Sequence, residues 1–214
     1  MPTYNITDIA ILLKDKNIFM PAEIVLFILI KNGKAKEIKG GLSPLSERLY
    51  RITEEDILLC VREIYKKEYV LCESKELSRG IHLPKIEEIF ERLIKMSETE
   101  IILLAPYLST EFMADLGIKF EDKKSITKII TNSPRSSISL PKQKEIIESL
   151  RRHGMNVVIS KIDIHAKAYV FDNKAAILCS SNLSRNGFFS LYELGVAIFG
   201  EDAIILKNLL ENLT

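Results

Sequence analysis

From Lys85 onward, short wholly apolar runs alternate with stretches whose apolar residues recur every three or four positions. Ile101 to Pro106, Ser125 to Thr131 and Met155 to Ser160 have the length and β-branched content of buried strands, whereas Ile86 to Met96 and Pro141 to His153 carry one apolar stripe between charged faces. Pro141 opens the second of these helices and Gly154 follows its end, as helix termini favour. His165 to Phe171 and Ala175 to Leu178 are two further strand-like runs separated by Asp172-Asn173-Lys174, which predicts a β-hairpin. A strand from Glu193 to Phe199 and a closing helix from Asp202 to Leu213 complete the pattern. The expectation is an α/β domain spanning residues 85–214.

The first 84 residues follow a different rhythm. Pro21 to Lys31 predicts a helix, and Thr53 to Lys67 an amphipathic one, with Thr53 as its cap and acidic residues in its first turn. Tyr69 to Leu83 could be a hairpin, and helices followed by a hairpin describe a winged helix-turn-helix. Gly40, Gly41 and Pro44 interrupt the helix expected between Lys34 and Leu49. A small helical cap or dimerisation domain is the competing reading. A boundary at Arg79 to Pro84 is expected from the composition change there.

Composition narrows the field. The chain of 214 residues is 47% hydrophobic with a formal net charge of +1, ordinary for a globular protein able to bury a core. Its longest apolar run, Ile24 to Ile30, is far short of the roughly 18 residues that span a bilayer. The amino terminus lacks a basic region followed by a hydrophobic one, so a cytoplasmic location without membrane association is expected. Cys60, Cys72 and Cys179 have no metal-ligand spacing, and a reducing environment without structural metal is expected. Two basic clusters could follow phosphates or simply be solvated faces: Lys31, Lys34, Lys36 and Lys39, and the set from Lys123 to Arg152.

The chemistry concentrates in Ile164 to Gly200. With a two-residue loop at Asn173-Lys174, His165 would face Asn182 and Lys167 would face Ser180, gathering four side chains on one patch. A slip of one residue would send one strand's pair to the opposite face. An imidazole able to act near neutral pH, a fixed ammonium, a hydroxyl and an amide are what a phosphodiester needs. Glu193 is the natural partner for the second ring nitrogen of His165. Asp172 lies at the far end of the hairpin, where a structural part in the turn outweighs chemistry.

These residues resemble the signature of the phospholipase D superfamily, His-x-Lys-x4-Asp-x6-Gly-Ser-x-Asn, with His165, Lys167, Asp172, Ser180 and Asn182 at the required spacings and Glu193 in the following strand. Cys179 stands where the family has Gly, which bears on how closely a phosphodiester backbone can approach. An accidental match at five positions is on the order of one in ten thousand. The resemblance implies a phospholipase D-like mixed sheet flanked by helices over about Lys85 to Thr214, beside the smaller N-terminal domain whose own pattern predicts a winged helix. It implies two histidines per site, one attacking phosphorus and one protonating the leaving oxygen. One motif per chain then implies a homodimer with the site at its twofold axis, and Lys167 and Asn182 in place of a metal imply no cofactor.

His82 and His153 lie outside any matching context and are expected to be surface or packing residues. The expected activity is metal-independent DNA cleavage, with DNA delivered by the N-terminal domain. The alternative is a DNA-binding transcription regulator whose phospholipase D-like domain binds a ligand or mediates dimerisation. Phospholipid hydrolysis ranks third, since no membrane-binding amphipathic helix is visible.

Overall fold

The computed structural model describes residues 2–39, 48–67, 69–74, 83–109, 111–114, 121–134 and 140–214. The chain divides into two compact units, Met1–Val70 and Leu71–Thr214.

In the first unit the order is β1 (Thr3–Tyr4), α1 (Ile6–Asp15), α2 (Ala22–Lys31), β2 (Lys36–Lys39), β3 (Leu49–Arg51) and α3 (Glu54–Lys67). Helix α1 starts at a capping box: Asp8 N–H donates to Asn5 Oδ1 at 2.9 Å, and Asn5 N–H donates to Asp8 Oδ2 at 2.8 Å. Thr53 caps α3 as expected, its Oγ1 accepting from Asp56 N–H at 3.0 Å. Ile24, Val25, Leu26 and Leu29 of α2 are buried. The longest apolar run is thus the central helix of a small core.

The three short strands form an antiparallel sheet in the order β1-β3-β2. Strands β2 and β3 stand in the region expected to hold a middle helix, which Gly40, Gly41 and Pro44 disfavour. Among the described residues, three helices and a three-stranded sheet precede β4 (Tyr69–Glu73) in this unit. The expected wing at Tyr69 to Leu83 is replaced by β4 (Tyr69–Glu73), which is hydrogen-bonded to β10 in the second sheet, while residues 75–82 lie outside the described residues.

The second unit is built on a mixed seven-stranded sheet in the order β4-β10-β9-β8-β5-β6-β7. Strands β5 (Ile101–Leu104), β6 (Thr127–Thr131) and β7 (Asn156–Ile159) run parallel. Strands β8 (Ala168–Phe171), β9 (Ala175–Cys179) and β10 (Leu194–Phe199) are antiparallel neighbours, and β8 also pairs antiparallel with β5. Helices α4 (Ile86–Met96), α5 (Leu140–Arg152) and α6 (Glu201–Glu211) fall within a residue or two of the expected spans.

Alternation along β8 sends its residues to two different cores. On one face Tyr169 and Phe171 meet Phe90 of α4 with ring centroids at 5.1 and 5.9 Å, and Phe188 stacks on Phe112 at 4.8 Å. On the other, Ala168 and Val170 join Ile102, Leu104, Ile130, Ile164 and Ala176 beneath Ala203 and Leu210 of α6. The two faces hold the signature-bearing strands rigid from both sides. Among the described residues, no helix is long and apolar enough to cross a membrane.

Candidate active site

The hairpin forms, but with a three-residue loop. Phe171 pairs with Ala175 and Ala168 with Leu178, so Asp172 leaves the ladder that a two-residue loop would have kept it in. The reason is tertiary. Asp172 is buried, and its carboxylate accepts from Glu98 N–H (2.7 Å), Thr99 N–H (2.9 Å), Thr99 hydroxyl (2.8 Å) and Glu100 N–H (2.9 Å), while its own N–H donates to Glu100 O at 2.9 Å. Asp172 and Asn173 take φ of +51° and +55°, which these residue types tolerate. Burial pushes the Asp172 carboxyl up, but the amides of Glu100, Glu98 and Thr99 and the Thr99 hydroxyl more than offset it and hold the pKa below the usual value. Asp172 is a structural tie, as its place in the motif suggested.

The observed register sets Lys167 opposite Cys179, whose N–H donates to Lys167 O at 3.2 Å, and not opposite Ser180. The predicted pairs His165–Asn182 and Lys167–Ser180 are corrected accordingly. Regular pairing stops at Ala168 and Cys179, so His165, Lys167, Ser180 and Asn182 all lie beyond the strand ends, where strict alternation no longer applies. Because β8, β9 and β10 are antiparallel neighbours, the start of β8, the end of β9 and the start of β10 share one edge of the sheet. His165, Lys167, Ser180, Asn182 and Glu193 all belong to that edge.

Each has a definite environment. Ser180 N–H donates to Leu194 O at 3.0 Å, its Oγ accepts from Leu194 N–H at 3.2 Å, and its hydroxyl donates to the Glu193 carboxylate. Glu193 is thereby held by Ser180, and among the described residues no hydrogen bond joins it to the exposed ring of His165. Lys167 is buried at 9% exposure, and with Glu193 it lies within electrostatic range of the Cys179 thiol. Asn182 Oδ1 is buried without a hydrogen-bond partner. Burial pushes the Cys179 thiol up to about 11, so it is neutral at physiological pH and is no nucleophile.

Two glycines shape this edge. A Cβ at Gly195 would lie 3.0 Å from both Cys179 Cβ and Cys72 Sγ. The side chain missing at Gly195 makes room for the one added at Cys179, so the departure from the family pattern is accommodated next door. A Cβ at Gly187 would lie 2.6 Å from Ser181 Oγ and 2.8 Å from Asn182 O, which only glycine permits in the π-helical turn Asn186–Ser190. Beneath the loop, the buried Tyr169 hydroxyl donates to Ser181 O at 2.7 Å.

Sequence reasoning missed two supporting residues. Asn132, just after β6, donates Nδ2–H to Ile164 O at 2.8 Å and accepts from Ile164 N–H at 2.9 Å, so its carboxamide grips the peptide next to His165. Ser74 grips the backbone on either side of Tyr192: it donates its hydroxyl to Leu191 O at 2.7 Å and accepts from Glu193 N–H at 2.8 Å. Neither carries a spacing signal, though an Asn directly after a buried strand was the one available hint. His153 is exposed with Nδ1 2.7 Å from Ser149 O, a helix-end role, and His82 lies outside the described residues. Among the described residues, no three His, Cys, Asp or Glu side chains gather to hold a metal ion.

A family model described as cardiolipin synthase, PLD-like domain, matches residues 90–212, more than half of the chain and all of the edge just described. The chain belongs to the phospholipase D-like family. The DISARM protein DrmC of Bacillus paralicheniformis is 32% identical over 79 residues, which are 33% of this chain and 33% of that protein. This phospholipase D-like chain therefore spans only about a third of that curated relative. The phospholipase D family member Nuc from Salmonella typhimurium shares the fold with a TM-score of 0.50 at 17% identity, over 68% of this chain and 90% of its own. Polyphosphate kinase from Porphyromonas gingivalis also has a TM-score of 0.50, at 14% identity, over 70% of this chain and 26% of its own.

Proposed function

We propose that this phospholipase D-like chain is a metal-independent phosphodiesterase that cleaves DNA as a homodimer through a phosphohistidine on His165. The feature that supports the reading is that the start of β8, the end of β9 and the start of β10 lie at one end of the sheet, with Lys167, Ser180 and Glu193 beside those strand ends and His165 and Asn182 within three residues of them. The imidazole of His165, the ammonium of Lys167 and the carboxamide of Asn182 make no hydrogen bond to the described residues. A phosphate group, with its oxygens accepting from the Lys167 ammonium and the Asn182 amide N–H, would satisfy those donors, while Asn182 Oδ1 needs a donor such as water.

In the first step a ring nitrogen of His165 bonds to phosphorus as the bond from phosphorus to the leaving oxygen breaks, and that oxygen takes a proton from His165 of a second copy. That imidazole, now neutral, accepts a proton from water as the water oxygen attacks phosphorus. The P–N bond then breaks and the phosphate monoester leaves. Negative charge growing on the non-bridging oxygens is met by Lys167. Large apolar side chains exposed along the same edge, Leu178, Leu191, Tyr192 and Leu194, support a second copy docking there.

For DNA, the supporting feature is the N-terminal order of two helices followed by the β2–β3 pair, with β1 against β3, which is compatible with a winged helix-turn-helix. The exposed Lys31, Lys34, Lys36 and Arg51 fall on its second helix, the turn after it and its hairpin. A second reading, a DNA-binding regulator that holds a ligand at this edge, is favoured by one observation: Glu193 is engaged with Ser180 and not with His165.

Incubation of plasmid DNA with wild type and His165→Ala in excess chelator separates these readings. Cleavage by wild type alone is expected. A gel shift without cleavage would move the assignment to the regulator, and full activity in a strictly monomeric protein would refute the shared site.

A further inference from the structure

We propose that Ser74 is a positioning residue for Glu193, so that β4, outside the family-matching residues 90–212, completes the catalytic edge. This rests on the phosphodiesterase reading. Ser74 is buried at the end of β4 and makes three hydrogen bonds to the segment that carries Glu193. Its N–H donates to Glu193 O at 3.0 Å, its Oγ accepts from Glu193 N–H at 2.8 Å, and its hydroxyl donates to Leu191 O at 2.7 Å. The side-chain oxygen thus stands in for a strand carbonyl, extending the pairing of β4 with β10 to the residue before β10 begins. One position earlier, the buried Glu73 accepts from the Tyr192 hydroxyl at 3.2 Å.

Main-chain atoms on both sides of the Glu193 Cα are therefore fixed by one residue, and the carboxylate is left to meet the Ser180 hydroxyl. The segment needs such a device. It follows the π-helical turn Asn186–Ser190 and precedes β10, and Leu191, Tyr192 and Leu194 are all exposed, so apolar packing does little to anchor it. The other ionisable groups acting near Glu193 are the Cys179 thiol and the Tyr169 phenol, with Lys167 reaching the same thiol. Both the thiol and the phenol have their pKa raised by burial and stay neutral near pH 7, so neither adds a charge beside Glu193.

The test uses the full chain and bis(p-nitrophenyl) phosphate as a metal-free chromogenic phosphodiester, with wild type, Ser74→Ala, Ser74→Cys, Glu193→Gln and the double variant Ser74→Ala/Glu193→Gln. Ser74→Ala is expected to lower kcat about tenfold, the worth of one hydrogen bond, with KM within about twofold, and Glu193→Gln to lower kcat in the same way. In the double variant the Ser74 change should add nothing.

Wild-type kcat in Ser74→Ala overturns the proposal. So does a loss that falls on KM and not on kcat, or one that adds to that of Glu193→Gln. If Ser74→Ala does not fold, Ser74→Cys, which keeps the volume and weakens the bonds, is held to the same kcat loss and the same non-additivity. Absence of wild-type turnover overturns the phosphodiesterase reading and this proposal with it, and is told apart from the other failures by the wild-type control.

Discussion

Replacing Asp172 tests how the hairpin is tied down. In Asp172→Ala, three backbone N–H groups and one hydroxyl lose an acceptor at 2.7 to 2.9 Å. A hydrogen bond to a charged group contributes about 1.5–3 kcal/mol, but the hydroxyl can turn to water and the Glu98 to Glu100 segment lies near the surface, so the bonds do not sum. A net loss of about 2–4 kcal/mol is expected, which for a chain of this size lowers the melting temperature by roughly 5–15 °C. The assay is thermal melting of the full chain beside Asp172→Asn, which keeps one acceptor oxygen but turns an NH2 toward the donors and should lose nearly as much.

The pH dependence has a definite sign. The folded carboxyl is held below its ordinary value, so its stabilisation is fully present above an unfolded pKa of about 3.9 and disappears as pH falls through the lower folded pKa. The gap between wild type and Asp172→Asn should therefore be flat from pH 7 to 5 and narrow below about pH 4. A loss under about 0.5 kcal/mol, within the range of ordinary surface substitutions, or a gap that widens in acid, would refute the reasoning.

Three further outcomes follow from the edge itself. Tyr169→Phe removes the buried donor to Ser181 O and should cost about 1–2 kcal/mol in chemical denaturation, because the carbonyl is left without that partner. Gly187→Ala should shift or broaden the Asn182 amide resonances and weaken phosphodiester turnover, since its Cβ would fall 2.8 Å from Asn182 O; unchanged spectra would show that the turn relaxes freely. Asn132→Ala should speed hydrogen exchange at the Ile164 amide and lower turnover about tenfold while leaving Asp172-dependent stability intact.

Much of the C-terminal unit was legible in the sequence because its elements are strongly patterned: Ile86 to Met96 is a helix with those limits, and all the expected strands are present. The signature residues were legible by spacing, and they follow or precede the same ends of β8, β9 and β10 although the register differs by one residue, which sets Lys167 opposite Cys179 and not Ser180. The slip itself was hidden because it depends on Asp172 binding amides more than seventy residues away in sequence. Helix α1 escaped notice although Asn5 and Asp8 spell its capping box. The fate of β4 could not be read at all: Tyr69 to Glu73 suits any edge strand, and which sheet accepts it depends on β10.

The order β8, β9, β10 is also the order of the chain, with a tight turn and one loop as the connections. Loop-closure entropy rises with the length of chain to be closed, so these three strands can assemble at small entropic cost, whereas β5, β6 and β7 must await long crossovers. During synthesis or refolding, the residues assigned to chemistry can thus come together before most of the sheet that later buries them, and native-like protection of the Tyr169 and Ile177 amides, which pair across β8 and β9, should precede that of Ile130 and Val158 in pulsed exchange.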